Sequence, residues 1–94
     1  MVVGRFRHKG LKRLYEDDDP SGLPQQSVRK LKAILAALEF ADELSQVATF
    51  PGWRLHPLKG GRKGEYSMTV TGNWRMTFRV QGNAVMDLDF EDYH

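Results

Sequence analysis

Cysteine is absent from the 94-residue chain. Neither a disulfide nor a thiolate metal site can form, which suits a reducing compartment. No apolar run approaches the roughly 20 residues of a membrane-spanning helix. The opening MVVGRFRHKG lacks the apolar segment of a secretory signal, and the length suits one domain, 1–94, with a modest core. Charge of one sign is missing from whole stretches. Residues 1–15 carry five basic groups and no acid, and residues 81–94 carry four acids and no Lys or Arg. Residues 50–80 set Arg54, Lys59, Arg62, Lys63, Arg75 and Arg79 against the single acid Glu65. The net charge of +2 therefore hides two basic regions able to meet phosphate, although ordinary solvated surface gives the same pattern.

What is present reads as an α+β protein. Met1 to Phe6 suits a short strand, with Val2 or Val3 and Phe6 turned inward. His8 to Glu16 suits a helix, because Leu11, Leu14 and Tyr15 align on one face. The acidic run before Pro20 ends it. A longer helix follows Pro24, with the stripe Val28, Leu31, Ile34, Leu35, Leu38 and Ala41 directed at a core. Ala48 to Gly52 reads as irregular, with a turn at Pro51-Gly52. Trp53-Arg54-Leu55-His56 reads as a further short strand.

Beyond it the period becomes two. The segments Glu65–Thr71, Trp74–Val80 and Ala84–Phe90 alternate apolar and polar residues and are separated by Gly72-Asn73 and Gly82-Asn83, a hairpin signal. Three-residue loops keep every even-numbered residue on one face and set Val70 opposite Trp74 and Val80 opposite Ala84. The same register sets Thr69 opposite Arg75, Arg75 opposite Asp89 and Glu65 opposite Arg79. Two helices then cover the even face, and Arg75 lies near the centre of an open polar one. An antiparallel sheet with one wet face needs no ligand, however.

Three stretches offer chemistry: Leu55-His56-Pro57-Leu58-Lys59-Gly60, Asn73-Trp74-Arg75 and Asp92-Tyr93-His94. An imidazole, with an unperturbed pKa of about 6.5, exchanges protons near neutrality. Two of them flanking a phosphodiester can deprotonate a ribose 2′-OH and protonate the leaving 5′-oxygen. Arg75 and Lys59 can stabilise the charge that develops on phosphorus-bound oxygens. Asp92 can hold an imidazole in one tautomer, and Tyr93 can stack on a base. No metal or other cofactor is needed, since RNA carries its own nucleophile. Each residue also has a plainer reading: His56 on a strand edge, Arg75 in a cross-strand ion pair, and Lys59-Gly60-Gly61-Arg62-Lys63 as a basic loop without the Walker pattern. His56, Asp92 and His94 as metal ligands form a further alternative.

The stretch LHPLKGGRKGEYSMTVTGNWRMTFRV with the terminal EDYH resembles the HigB (plasmid-maintenance killer) family of RelE-type toxins, and FRHKGLKRLYE and SGLP extend the resemblance over nearly the whole chain. That resemblance implies two N-terminal helices packed on a twisted, mainly antiparallel sheet. It implies a cytoplasmic, ribosome-dependent endoribonuclease that cuts mRNA in the A site, next to 16S rRNA, and a free toxin that is monomeric. It also implies neutralisation by a helix-turn-helix antitoxin of the HigA type. By matching positions it assigns His56, Arg75, Asp92, Tyr93 and His94 to catalysis, with His94 as base and His56 as acid. Lys59, Arg62, Lys63 and Asn73 fall to substrate binding, and Arg5, Arg7, Lys9, Lys12 and Arg13 to ribosomal RNA. The alternative is a non-catalytic RNA- or protein-binding module on the same fold.

Overall fold

A computed structural model describes residues 1–92. The elements are β1 (Val2–Val3), α1 (Lys9–Asp17), α2 (Gln25–Phe40), α3 (Leu44–Val47), β2 (His56–Pro57), β3 (Glu65–Thr71), β4 (Trp74–Gln81) and β5 (Ala84–Asp92), with a 3-10 turn at Gly60–Arg62. The sheet runs β1-β5-β4-β3-β2. β1 pairs parallel to β5, and the remaining neighbours pair antiparallel. The expected α+β arrangement is therefore present, and no helix among the described residues is long and apolar enough to cross a membrane.

Each helix has a local cause. His8 caps α1: its Nδ1 accepts from the Leu11 N–H at 3.2 Å. The helix stops at Asp18, which takes a left-handed conformation (φ 54) and donates its N–H to the Arg13 carbonyl. Along α2 the stripe Leu31, Ile34, Leu35 and Leu38 is buried, as its spacing requires, with Val28 half-buried beside it. These side chains meet Leu11 and Leu14 from α1 and Met68, Val70, Met76, Phe78, Val85, Leu88 and Phe90 from the sheet. α3, which the sequence did not suggest, opens on a capping box between Glu43 and Gln46 and buries Val47.

Four strand expectations change. β1 is shorter than Met1 to Phe6: Phe6 only bridges Leu88, Val2 is exposed and Val3 faces the core. Trp53 to His56 is not a strand. The Trp53 carbonyl accepts from Thr69 N–H at 2.8 Å, but Arg54 at φ 53 breaks the extended backbone, and pairing resumes only at His56↔Ser67. Pro57 is tolerated because β2 is an edge strand. The hairpin loops are two residues long, with Thr71↔Trp74 and Gln81↔Ala84 as their flanking pairs. Gly72 (φ 52) and Gly82 (φ 60) lead these turns in the positive-φ conformation that Gly adopts at no steric cost.

Bulges repair the alternation that the shorter loops would disturb. One lies between Thr69 and Thr71, so Thr69 still faces Arg75 and Glu65 still faces Arg79. Thr71 thereby turns toward the helices, where its hydroxyl meets that of Ser27 in α2 at 2.8 Å. The other interrupts the β4–β5 ladder between Thr77 and Arg79, where Asp87 sits at φ 54. Before it the odd residue Val85 is buried and Met86 pairs with Arg79; beyond it Leu88 and Phe90 are buried. Arg75 consequently lies opposite Glu91, not Asp89, and Asp89 lies opposite Thr77.

Candidate active site

A depression of about 330 Å³ opens on the sheet face away from the helices, lined by Arg54, His56, Leu58, Ser67, Thr69 and Arg75. Ser67 and Thr69 come from β3 and Arg75 from β4, while the irregular strand approach supplies the others. The left-handed turn at Arg54 places its own carbonyl against His56, whose Nδ1 bonds it at 2.8 Å. A carbonyl only accepts, so Nδ1 carries the hydrogen, and Nε2 of the exposed imidazole is the atom that takes or gives a proton.

Arg75 is held by its own hairpin. Its Nη1 donates to the Gly72 carbonyl at 2.7 Å and the Trp74 carbonyl at 3.1 Å. These neutral acceptors orient the guanidinium without cancelling its charge. Lys30 of α2 senses that charge: burial first, and repulsion from Arg75 second, hold its amine below the usual lysine range.

The other part of the same face is roofed by Arg62. From the 3-10 turn its Nε and Nη2 each donate to Glu65 at 3.0 Å, while Nη1 and Nη2 donate to Glu91 at 2.7 and 2.6 Å. Thr77 Oγ1 adds a bond to Glu91 at 2.8 Å. One guanidinium thus spans from β3 to β5 across β4. Glu65, Ser67 and Thr77 beneath are buried, so this polar face is less open than the alternation suggested. Hydrogen bonds from Arg62, opposed by burial, hold the Glu65 and Glu91 carboxyls below the usual carboxylate range.

His56 and Arg75 are the two expected site residues that share the depression. Lys59 and Lys63 flank the 3-10 turn, exposed, and Asn73 is exposed in the hairpin turn. Asp92 ends β5 opposite Trp74, one position beyond the Arg75↔Glu91 pair. Trp74 stacks on Phe90, with ring centroids 4.6 Å apart, on the helix side. Tyr93 and His94 lie outside the described residues. Arg62, expected to touch substrate, is engaged by two carboxylates. Arg5, expected to meet ribosomal RNA, pairs with Asp87 at 2.9 Å.

Residues not anticipated are Arg54, Leu58, Ser67 and Thr69 around the depression and Glu91 beside it. The closing run from Glu91 to His94 held a signal for Glu91, but the bulge that sets it opposite Arg75 was not legible. Among the described residues no group of three or more His, Asp or Glu side chains is arranged to hold a metal ion. A larger concavity, about 740 Å³, lies between the start of α2 and the loop before it, lined by Leu23, Val28, Arg29 and Lys32 among others. It has no imidazole or carboxylate in its lining and offers no comparable acid–base chemistry.

Comparison with known proteins supplies the remaining constraint. The family model described as "RelE-like toxin of type II toxin-antitoxin system HigB" matches residues 4–94. Endoribonuclease HigB of Proteus vulgaris is 43% identical over 94 residues, covering 99% of this chain and 100% of that protein. Among solved structures, YafQ from E. coli superposes with a TM-score of 0.62 at 15% identity, covering 96% of this chain and 90% of its own. A YoeB/ParE toxin from Agrobacterium tumefaciens gives 0.58 at 17% identity, covering 97% and 99%. At such identities the structures speak for the fold alone.

Proposed function

The chain belongs to the HigB-like family of RelE-like toxins of type II toxin–antitoxin systems, and from that premise we propose that it is an endoribonuclease that cuts mRNA in the ribosomal A site by acid–base catalysis. Membership brings an antitoxin partner and an RNA substrate. In this reading the antitoxin is a helix-turn-helix protein of the HigA type, and the toxin works as a single domain in the cytoplasm, where translating ribosomes are.

The observation that carries the reading is the pairing, in one depression, of an oriented imidazole with a guanidinium that bonds only carbonyls among the described residues. The ribose 2′-oxygen loses its proton and attacks the adjacent phosphorus. The pentacoordinate species gains negative charge, and Arg75 offers N–H donors to it from a fixed position. The P–O5′ bond breaks as an acid supplies a proton to the 5′-oxygen, leaving a 2′,3′-cyclic phosphate and a 5′-hydroxyl. His56 Nε2 is assigned as that acid and His94 as the base, with Asp92 and Tyr93 supporting the terminal imidazole and the base stack. Lys59, Lys63 and Asn73 border the path of the message. Lys9, Lys12 and Arg13, exposed on α1, contribute a sequence-independent, salt-sensitive attraction to ribosomal RNA.

The test is to map message ends in a translating extract with and without the protein. Cuts confined to ribosome-bound message, and lost in folded His56→Ala and Arg75→Ala variants, support the reading. Arrest of translation by His56→Ala at wild-type strength, with the message intact, would instead favour a module that binds without cutting.

A further inference from the structure

We propose that Arg62 is a positioning residue for this reaction: by holding Glu91 it keeps that carboxylate off Arg75 and leaves the Arg75 guanidinium available for phosphate. The inference rests on the assignment of Arg75 to the scissile phosphate. Its premise is the register. Arg75 and Glu91 are directly opposed on β4 and β5, and opposed residues have Cβ atoms about 4.5–5.5 Å apart, close enough for opposite charges to pair. Yet Glu91 is turned the other way. Its Oε1 accepts from Arg62 Nη1 and its Oε2 from Arg62 Nη2 and Thr77 Oγ1. Arg75 bonds the carbonyls of Gly72 and Trp74.

Arg62 suits this task by shape. Two edges of its planar fork serve two carboxylates, Glu65 through Nε and Nη2 and Glu91 through Nη1 and Nη2. An ammonium group cannot match both geometries. Without Arg62, Glu65 still has Arg79, whose Nη2 lies 3.7 Å from Oε2, whereas Glu91 is left with the through-space pull of Arg7 and with Arg75, the cation directly opposed to it on β4. The carboxylate would then occupy the donors meant for phosphate.

Three variants decide the matter in a ribosome-programmed cleavage assay, each with a thermal melt. Arg62→Ala is expected to lose roughly tenfold or more in cleavage rate, the scale of a hydrogen bond to a charged group. Arg62→Ala with Glu91→Gln regains most of that loss, because the competitor has gone. Arg62→Ala with Glu65→Gln likewise removes one carboxylate that Arg62 had paired but gains nothing, since Glu65 opposes Arg79. Equal rescue by both doubles means that Arg62 acts through stability, and overturns the proposal.

A second readout needs no activity. The Glu91 carboxyl is titrated by carbon-13 NMR with and without Arg75→Ala. In the native background Arg75→Ala leaves the Glu91 midpoint in place; in the Arg62→Ala background it raises it by about one unit or more. Equal responses in the two backgrounds overturn the proposal. If wild-type protein cuts no message while the titration behaves as expected, the nuclease reading fails and the Arg62–Glu91–Arg75 relation stands.

Discussion

Replacing Asp87 by Asn, Gly and Val separates the two things this residue does. It holds the β5 bulge in a left-handed conformation (φ 54), and its carboxylate pairs with Arg5 at 2.9 Å. The pair is largely solvated on the Arg5 side, with side-chain exposures of 66% and 18%, so it contributes about 0.2–1 kcal/mol. Asp87→Asn removes that pair together with the longer contact to Arg79 Nε at 4.0 Å and leaves the bulge, because Asn tolerates the same backbone. Asp87→Gly also relieves about 1–2 kcal/mol of left-handed strain but adds about 0.5–1 kcal/mol of unfolded-state entropy, ending within about 1 kcal/mol of the parent. Asp87→Val places a β-branched side chain where φ is positive and costs about 2–3 kcal/mol in total. Urea unfolding followed by circular dichroism reads these differences. Equal stability of the Val and Gly variants would refute the assignment of the bulge to Asp87. With it would go the register that sets Glu91 opposite Arg75.

Phe78, fully buried and stacked on Tyr66 with ring centroids 5.8 Å apart, should lose about 3–5 kcal/mol on truncation to Ala, a large share of the roughly 5–15 kcal/mol that holds a domain folded. Calorimetry checks it. Acid should unfold the protein through Glu65 and Glu91. Both carboxyls lie below the ordinary value of 4.5 in the folded state, so their stabilisation is complete above that value and is lost as the pH falls through their lower folded values; melting temperatures between pH 6 and 3 should show the drop, and Arg62→Ala should flatten it. Lys59→Ala and Lys63→Ala should each reduce the salt dependence of message binding, by about 0.7 in log K per log salt for every contact to single-stranded phosphate lost, without shifting the melt.

Long-period features were legible in the sequence because each rests on local chemistry. The α2 stripe from Leu31 to Leu38 and the three meander strands came from spacing and from Gly-Asn turns. Register was less so. Keeping alternation intact required three-residue loops on paper, whereas the chain takes two-residue loops and restores alternation with bulges between Thr69 and Thr71 and at Asp87. A bulge leaves little trace in a pattern of apolar and polar residues, and Asp at a left-handed position looks like any exposed acid. The same blind spot applies to the site. His56 and Arg75 were legible as chemistry-bearing residues, and they do share a depression. Arg54 was read as a strand residue because nothing in its side chain announces φ 53. Arg62 was assigned to substrate by the resemblance, and its tie to Glu91 was not legible because that carboxylate lies 29 positions away in sequence.

The chemistry of the cut ends tests the account most directly. Ligation-based mapping distinguishes a 2′,3′-cyclic phosphate with a 5′-hydroxyl from a 3′-hydroxyl with a 5′-phosphate. Attack by the message's own 2′-oxygen, with His56 and Arg75 at the phosphodiester, predicts the first pair on ribosome-bound mRNA and its loss in folded His56→Ala protein. A 5′-phosphate product, made undiminished by that variant, would contradict it.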